Sequence, residues 1–278
     1  MTGAEYHADP CPTPSLSASI AHVLLSQSPR HAWTAHPRLN PAYAPEESEA
    51  FDLGTAAHAY LLEGETGFVI VEAPDWRTKL AREARDLARA EGKTPLLAHR
   101  WADVQAMATA AREQLGSHPA PEPLGGGDPE QTLLWHEGDM WCRARLDWLH
   151  EDLRTIDDYK TTATSAHPAV WSRSLFASGY DIQAAMYLRG VKAVFGATAE
   201  FRFVVQETTP PYALSVIGLD PEALALGAAK VGRAIALWRE CVTTNTWPAY
   251  PTRTCYAEAP PWAAAQWLER TYYEEVSV

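Results

Sequence analysis

Asp147, Asp158 and Lys160 stand within one stretch of the chain, WCRARLDWLHEDLRTIDDYKTT from Trp141 to Thr162, and they are the residues whose types and spacing could do chemistry. Carboxylate oxygens are the donors that Mg²⁺ prefers, and a bound divalent ion can polarise a phosphoryl oxygen and lower the pKa of a water towards ~7. An ammonium beside such a centre stabilises negative charge developing in a transition state. The set suits metal-assisted phosphodiester hydrolysis. On spacing alone it suits a β-hairpin with a solvated charged face equally well.

Alternation of residue type supplies the elements that must position these groups. From Trp141 to Leu149, Arg143, Arg145 and Asp147 fall on one face of a strand and Cys142, Ala144, Leu146 and Trp148 mostly on the other, as a period of two requires. A turn at His150, Glu151 and Asp152 leads into a second extended run, Leu153 to Thr161. There Ile156, Asp158 and Lys160 share a face while Asp157 and Tyr159 point away. Upstream, QTLLWHEG at 131–138 and a Gly138-Asp139 turn complete a three-stranded meander.

An acid, a hairpin and then Asp-x-Lys followed by Thr161 and Thr162 resembles the core of the PD-(D/E)xK nuclease superfamily. The run IDDYKTT is similar to the version in RecE-type (exonuclease VIII-like) and RecB-like phage exonucleases. Two further blocks carry the same resemblance: Gly-Thr-x-x-His-x-x-Leu-Leu-Glu from Gly54 to Glu63, and Tyr-x-x-Gln-x-x-x-Tyr at Tyr180, Gln183 and Tyr187. The resemblance implies that His58, Asp147, Asp158 and the Tyr159 carbonyl hold Mg²⁺ or Mn²⁺. It also implies that Lys160 stabilises charge, and that Gln183 and Tyr187 lie beside the catalytic site and contact substrate. The implied substrate is DNA, most simply linear duplex ends in phage or prophage recombination, with a ring-shaped homo-oligomer as the assembly and a single-strand annealing protein as a further partner. One departure is Asp158, an aspartate where many superfamily members carry glutamate.

Blander readings stand beside these. His58 shares a helical face with Leu61 and Leu62, as a satisfied core histidine would. Tyr180, Gln183 and Tyr187 also fit a helix that buries its aromatic rings. A catalytically silent DNA-binding or assembly protein of the same fold, or a nuclease acting on single-stranded DNA or RNA, would keep the same motifs.

The 278 residues, 46% of them hydrophobic and eleven of them Trp, suffice for one elaborated folded domain. No apolar run approaches 18 residues and no basic segment followed by an apolar one opens the chain, so a membrane span and a secretion signal are not expected and the cytoplasm is. Cys11, Cys142, Cys241 and Cys255 are scattered without a C-x-x-C pair, which disfavours a zinc or disulfide scaffold. Those RecB-like nucleases that hold an iron–sulfur cluster use one early cysteine and a tight late trio, so no cluster is expected here. A formal charge of −12 opposes broad coating of nucleic acid, yet Trp76 to Gly116 holds eight Lys or Arg against five Asp or Glu. Arg77, Arg82, Arg85 and Arg89 in that segment form either a basic stripe or an ordinary solvated face.

Taken in order, residues 1–14, with Pro10, Pro12 and Pro14, read as a flexible arm, and 15–278 as a single nuclease domain with a helical first part and a helical C-terminal extension. A Ser-capped helix follows from Ser15 and closes at Pro29, and FVIVEA at 68–73 fits a strand. Two helices run from Trp76 and break near Gly92 to Pro95. After the meander come a helix over about Tyr180 to Phe195, a strand pair split by Pro210-Pro211, and a long helix capped by Asp220 and Pro221. The expected fold is α/β (α+β), a restriction-endonuclease-like mixed central sheet flanked by helices.

Overall fold

The structure, a computed structural model, describes residues 1–44, 49–64 and 67–276. Its elements in chain order begin with α1 (Gly3–His7), α2 (Ala18–Ser26), α3 (Pro29–Ala35), α4 (Glu49–Leu62), β1 (Phe68–Val71), α5 (Lys79–Ala90), β2 (Thr94–Leu97) and α6 (Ala98–Leu115). The meander follows as β3 (Gly127–Glu137), β4 (Met140–His150) and β5 (Thr155–Thr162). Then come α7 (Pro168–Ala177), α8 (Tyr180–Phe195), β6 (Glu200–Glu207), β7 (Leu214–Gly218), α9 (Pro221–Thr244) and α10 (Pro261–Val276). Compact packing joins Met1–Trp247 into one unit, and Pro248–Val278, with α10, forms a second.

The central sheet has five strands in the order β3-β4-β5-β6-β7. It is mixed as expected: β3, β4 and β5 are antiparallel, β5 and β6 parallel, β6 and β7 antiparallel. The parallel step needs a long crossover, and α7 with α8 supplies it. On one face Leu146, Ile156 and Phe203 pack with Ile182 and Met186 of α8, Val231 and Trp238 of α9, and Leu24 of α2. On the other, Tyr159 and Val204 pack with Ala57 of α4 and Met107 and Leu115 of α6. Helix α9 crosses α8 where Gly227 faces Asp181, and a Cβ at Gly227 would lie 2.3 Å from the Asp181 carbonyl oxygen. Glycine there permits the helices to approach backbone to backbone.

β4 and β5 do not pair along their length. Their ladder is confined to Trp148↔Asp157 and Leu149↔Ile156, after which the strands splay. Part of the edge that β4 thereby exposes is taken by the N-terminal segment: Leu16 forms a parallel bridge with Cys142, its N–H donating to the Trp141 carbonyl at 3.0 Å.

Residues 1–14, expected as a flexible arm, are instead folded onto this sheet. Tyr6, Asp9 and Cys11 are buried, and the Asp9 carboxylate accepts from Ser15 N (2.9 Å) and Ser15 Oγ (2.7 Å) and faces Arg143 Nη1 at 3.2 Å. A buried guanidinium needs such a partner, and the arm provides it. Residues 1–14 thus belong to the same compact unit as the sheet. Other elements were not expected either: α3, which begins at the Pro29 expected to close a helix, α7, capped by His167, and β2, which pairs in parallel with β1 through the Gly92–Pro95 break between helices. The basic segment proves to be of mixed sign, since Lys79 lies 3.5 Å from Glu83 and Arg85 lies 2.8 Å from Asp86. Among the described residues no helix is long and apolar enough to cross a membrane.

Candidate active site

The splay between β4 and β5 is where the chemistry collects. Asp147 sits one residue before the last pair of the ladder, and its Oδ2 accepts the Tyr159 N–H at 2.9 Å, taking the place of a main-chain partner. A strand residue turns its N–H and C=O to the same edge, so the Tyr159 carbonyl opens into the same gap. The Tyr159 ring lies on the face covered by α4 and α6, where its hydroxyl donates to Gln206 Oε1 at 2.6 Å.

Helix α4 closes over this gap. A Cβ at Gly54 would meet Thr161 Oγ1 at 3.2 Å, so glycine allows the helix to rest on the end of β5. One turn later, His58 Nε2 lies 3.2 Å from Asp147 Oδ2 and 3.4 Å from Glu130 Oε1. These three residues offer donor atoms that all lie within 4.8 Å of one another. Glu130 is the site residue that motif reading missed. It stands at φ 58° in the middle of β3, a conformation uncommon for non-glycine residues, with Arg145 against its other oxygen. A signal for it existed: carrying the register back from Glu137↔Met140 through the Gly138-Asp139 turn sets Glu130 opposite Asp147.

The two adjacent aspartates of β5 divide their roles by face. Asp157 is an anchor, gripped by Arg202 (2.7 and 2.9 Å), His150 (2.7 Å) and the Leu124 N–H (2.8 Å). Asp158 points to the α8 side as its alternation requires, fully buried, with Gln183 Nε2 donating to Oδ1 at 2.8 Å. Its Oδ2 lies against the Lys160 ammonium but receives no aligned hydrogen bond. Gln183 also donates to the Tyr187 hydroxyl at 3.1 Å, and Lys160 Nζ stands 5.3 Å above the Tyr180 ring. Of the expected metal ligands the structure thus brings His58 and Asp147 together and adds Glu130. Asp158 stands outside that tight group, paired with Lys160.

The charges are unequally stable. Burial opposes ionisation of Asp147, but His58, Lys160 and the Tyr159 N–H outweigh it and hold its pKa below the ordinary range. Burial and the neighbouring Asp147 carboxylate raise Asp158 well above that range despite Lys160. Burial likewise raises Glu130, against the pull of His58 and Arg145. For Lys160 and His58 burial favours the neutral form, yet the facing carboxylates keep both raised. Both carboxyl groups are thus shifted towards the neutral form, by burial first, and a divalent cation would favour their charged forms. The donors, one imidazole and oxygens from carboxylates, fit Mg²⁺ or Mn²⁺. The centre opens on a cavity of about 910 Å³ whose lining includes Glu130, Asp147, Lys160, Tyr180 and Tyr187.

Residues 20–259 match the family described as a PDDEXK-like domain of unknown function (DUF3799). The chain belongs to that family. Among solved structures, this PDDEXK-like chain is similar to a provisionally assigned exonuclease from Eubacterium rectale, with a TM-score of 0.64 at 12% identity over 94% of this chain and 96% of that one. A phage-related exonuclease from Haemophilus somnus 129PT aligns with a TM-score of 0.34 at 12% identity, covering 84% of this chain and 96% of that one. The first likeness bears on fold alone, and the second is too distant to argue from. No curated protein matches the chain in sequence.

Proposed function

We propose that this PDDEXK-like domain hydrolyses phosphodiester bonds of DNA with Mg²⁺ or Mn²⁺ as its cofactor, acting on linear duplex ends. The observation that carries the reading is the meeting of His58, Glu130 and Asp147 within 4.8 Å, beside the Asp158–Lys160 pair on the splayed strands. Those three residues hold the ion, and Asp158 and the Tyr159 carbonyl are the further oxygen donors of β5. When bound, the ion supplies Lewis acidity at a phosphoryl oxygen.

The remaining work falls to the chain's own side chains. Lys160, kept charged by its carboxylate neighbours, stabilises negative charge developing on the phosphoryl group. Gln183 holds Asp158 and Tyr187 in place from α8, where Tyr187 lines the cavity. A preference for ends is supported by the RecE-like motif blocks. Calorimetric titration with Mn²⁺ tests the metal assignment. His58→Ala and Glu130→Gln are each expected to weaken binding by about tenfold or more. Isotherms unchanged in both variants refute it.

A further inference from the structure

The first residues of the chain, which precede the stretch matching the family, stand at the mouth of the site. Gly3, Tyr6 and His7 line the same cavity as Glu130, Asp147 and Lys160. The wall they form is held at both ends. At its start, the Met1 carbonyl accepts from Arg145 Nη1 at 3.0 Å, and Arg145 is the residue that also grips Glu130. At its end, buried Asp9 is fixed to Ser15 and Arg143. Between them α1 is set locally, since Thr2 Oγ1 accepts from Glu5 N (3.2 Å) while Thr2 N donates to Glu5 Oε2 (2.7 Å).

Within this wall the two rings differ. Tyr6 is buried beneath the Arg143 guanidinium, 5.5 Å away, and serves as footing. His7 is exposed and meets Tyr6 edge-on, with centroids 5.2 Å apart and planes at 73°. His7 lines the same cavity as His58, Glu130 and Asp147, and its ring offers that cavity a π face.

We propose that α1 is a wall of the substrate cleft and that the His7 ring is a stacking surface for a base of the bound strand. The proposal deepens the nuclease reading and rests on it. The test uses the full chain, Mn²⁺ and a fluorescent linear oligonucleotide duplex, comparing wild type, His7→Ala and His7→Phe. Removal of a stacking ring is expected to raise KM about five-fold or more, with the effect on KM rather than kcat, and Phe, which restores a π face, is expected to rescue it. Mn²⁺ affinity and the dependence of KM on salt stay as in wild type.

Equal KM in all three proteins, with cleavage intact, overturns the wall and leaves the nuclease reading standing. A KM raised alike by Ala and Phe, with the slope of log KM against log salt reduced by about one, makes His7 a phosphate contact and overturns the stacking role. A wild type that cuts nothing in Mn²⁺ overturns both readings.

Discussion

Replacement of Asp9 by alanine is the sharpest test of the unexpected order of the N-terminal segment. The Asp9 side chain is 0% and the Arg143 side chain 4% exposed, 3.2 Å apart. Removing the carboxylate leaves Arg143 with the neutral Ser15 carbonyl (3.1 Å) and Ser15 Oγ (2.6 Å), while its Nε already lacks a partner. Breaking one side of a buried pair costs about 3–5 kcal/mol, because the remaining charge is stranded out of water. At about 2–4 °C per kcal/mol for a domain of this size, Asp9→Ala is expected to melt roughly 6–20 °C below wild type, by calorimetry at neutral pH. Asp9→Leu combined with Arg143→Met, which removes both charges, is expected to recover much of that loss.

The same pair sets a pH window. Burial raises the Asp9 pKa, but His36, Arg143 and Ser15 more than offset it and hold it at about 2, against an ordinary 3.8. A carboxyl depressed in the folded state stabilises above its unfolded pKa and loses that contribution as pH falls through the folded one. The gap between wild type and Asp9→Ala is therefore expected to shrink between about pH 4 and pH 2. A difference in melting temperature under about 2 °C at neutral pH refutes the reasoning, and the segment would then not be anchored by this pair.

Other outcomes follow from the site and its supports. Lys160→Ala is expected to leave Mn²⁺ affinity equal or higher, because a nearby positive charge is gone, yet to slow cleavage by about 10²-fold or more, as parallel calorimetry and end-labelled DNA assays would read. Asp158→Asn is expected to weaken Mn²⁺ binding and abolish cleavage together; a variant that binds and cuts like the parent removes Asp158 from the centre. Gly227→Ala is expected to destabilise by about 1–3 kcal/mol in urea melts, since its Cβ would fall 2.3 Å from the Asp181 carbonyl and force α8 and α9 apart.

Much of the sheet was legible because period two is strict: the faces of Asp147, Asp158 and Lys160, the Gly138-Asp139 turn and the strand after Pro211 all follow from it. The helix of His58 was legible through its small residues, Gly54 above all, which later explain how closely it rests on β5. What stayed hidden is held by contacts that leave no local pattern. Arg143 and Ser15 are 128 residues apart, so three prolines and a lack of apolar spacing made the segment before Ser15 look unstructured. Glu130 was obscured by its left-handed backbone and by the flexible-looking GGGDP before it, although β3 begins at Gly127. β2 carries Pro95, and a strand of four residues containing proline reads as a break. Alternation set Asp157 and Asp158 on opposite faces, but only the structure shows Arg202 and His150 holding the first.

The central claim is tested most directly by incubating the protein with end-labelled linear duplex, covalently closed circles and single strands in Mg²⁺, Mn²⁺ or EDTA, alongside Asp147→Asn. The account predicts that linear duplex is degraded only with metal, that closed circles survive, and that Asp147→Asn is inactive. Closed circles cut as fast as linear duplex would contradict end-directed action. Loss of no substrate under any metal condition would contradict the nuclease reading itself.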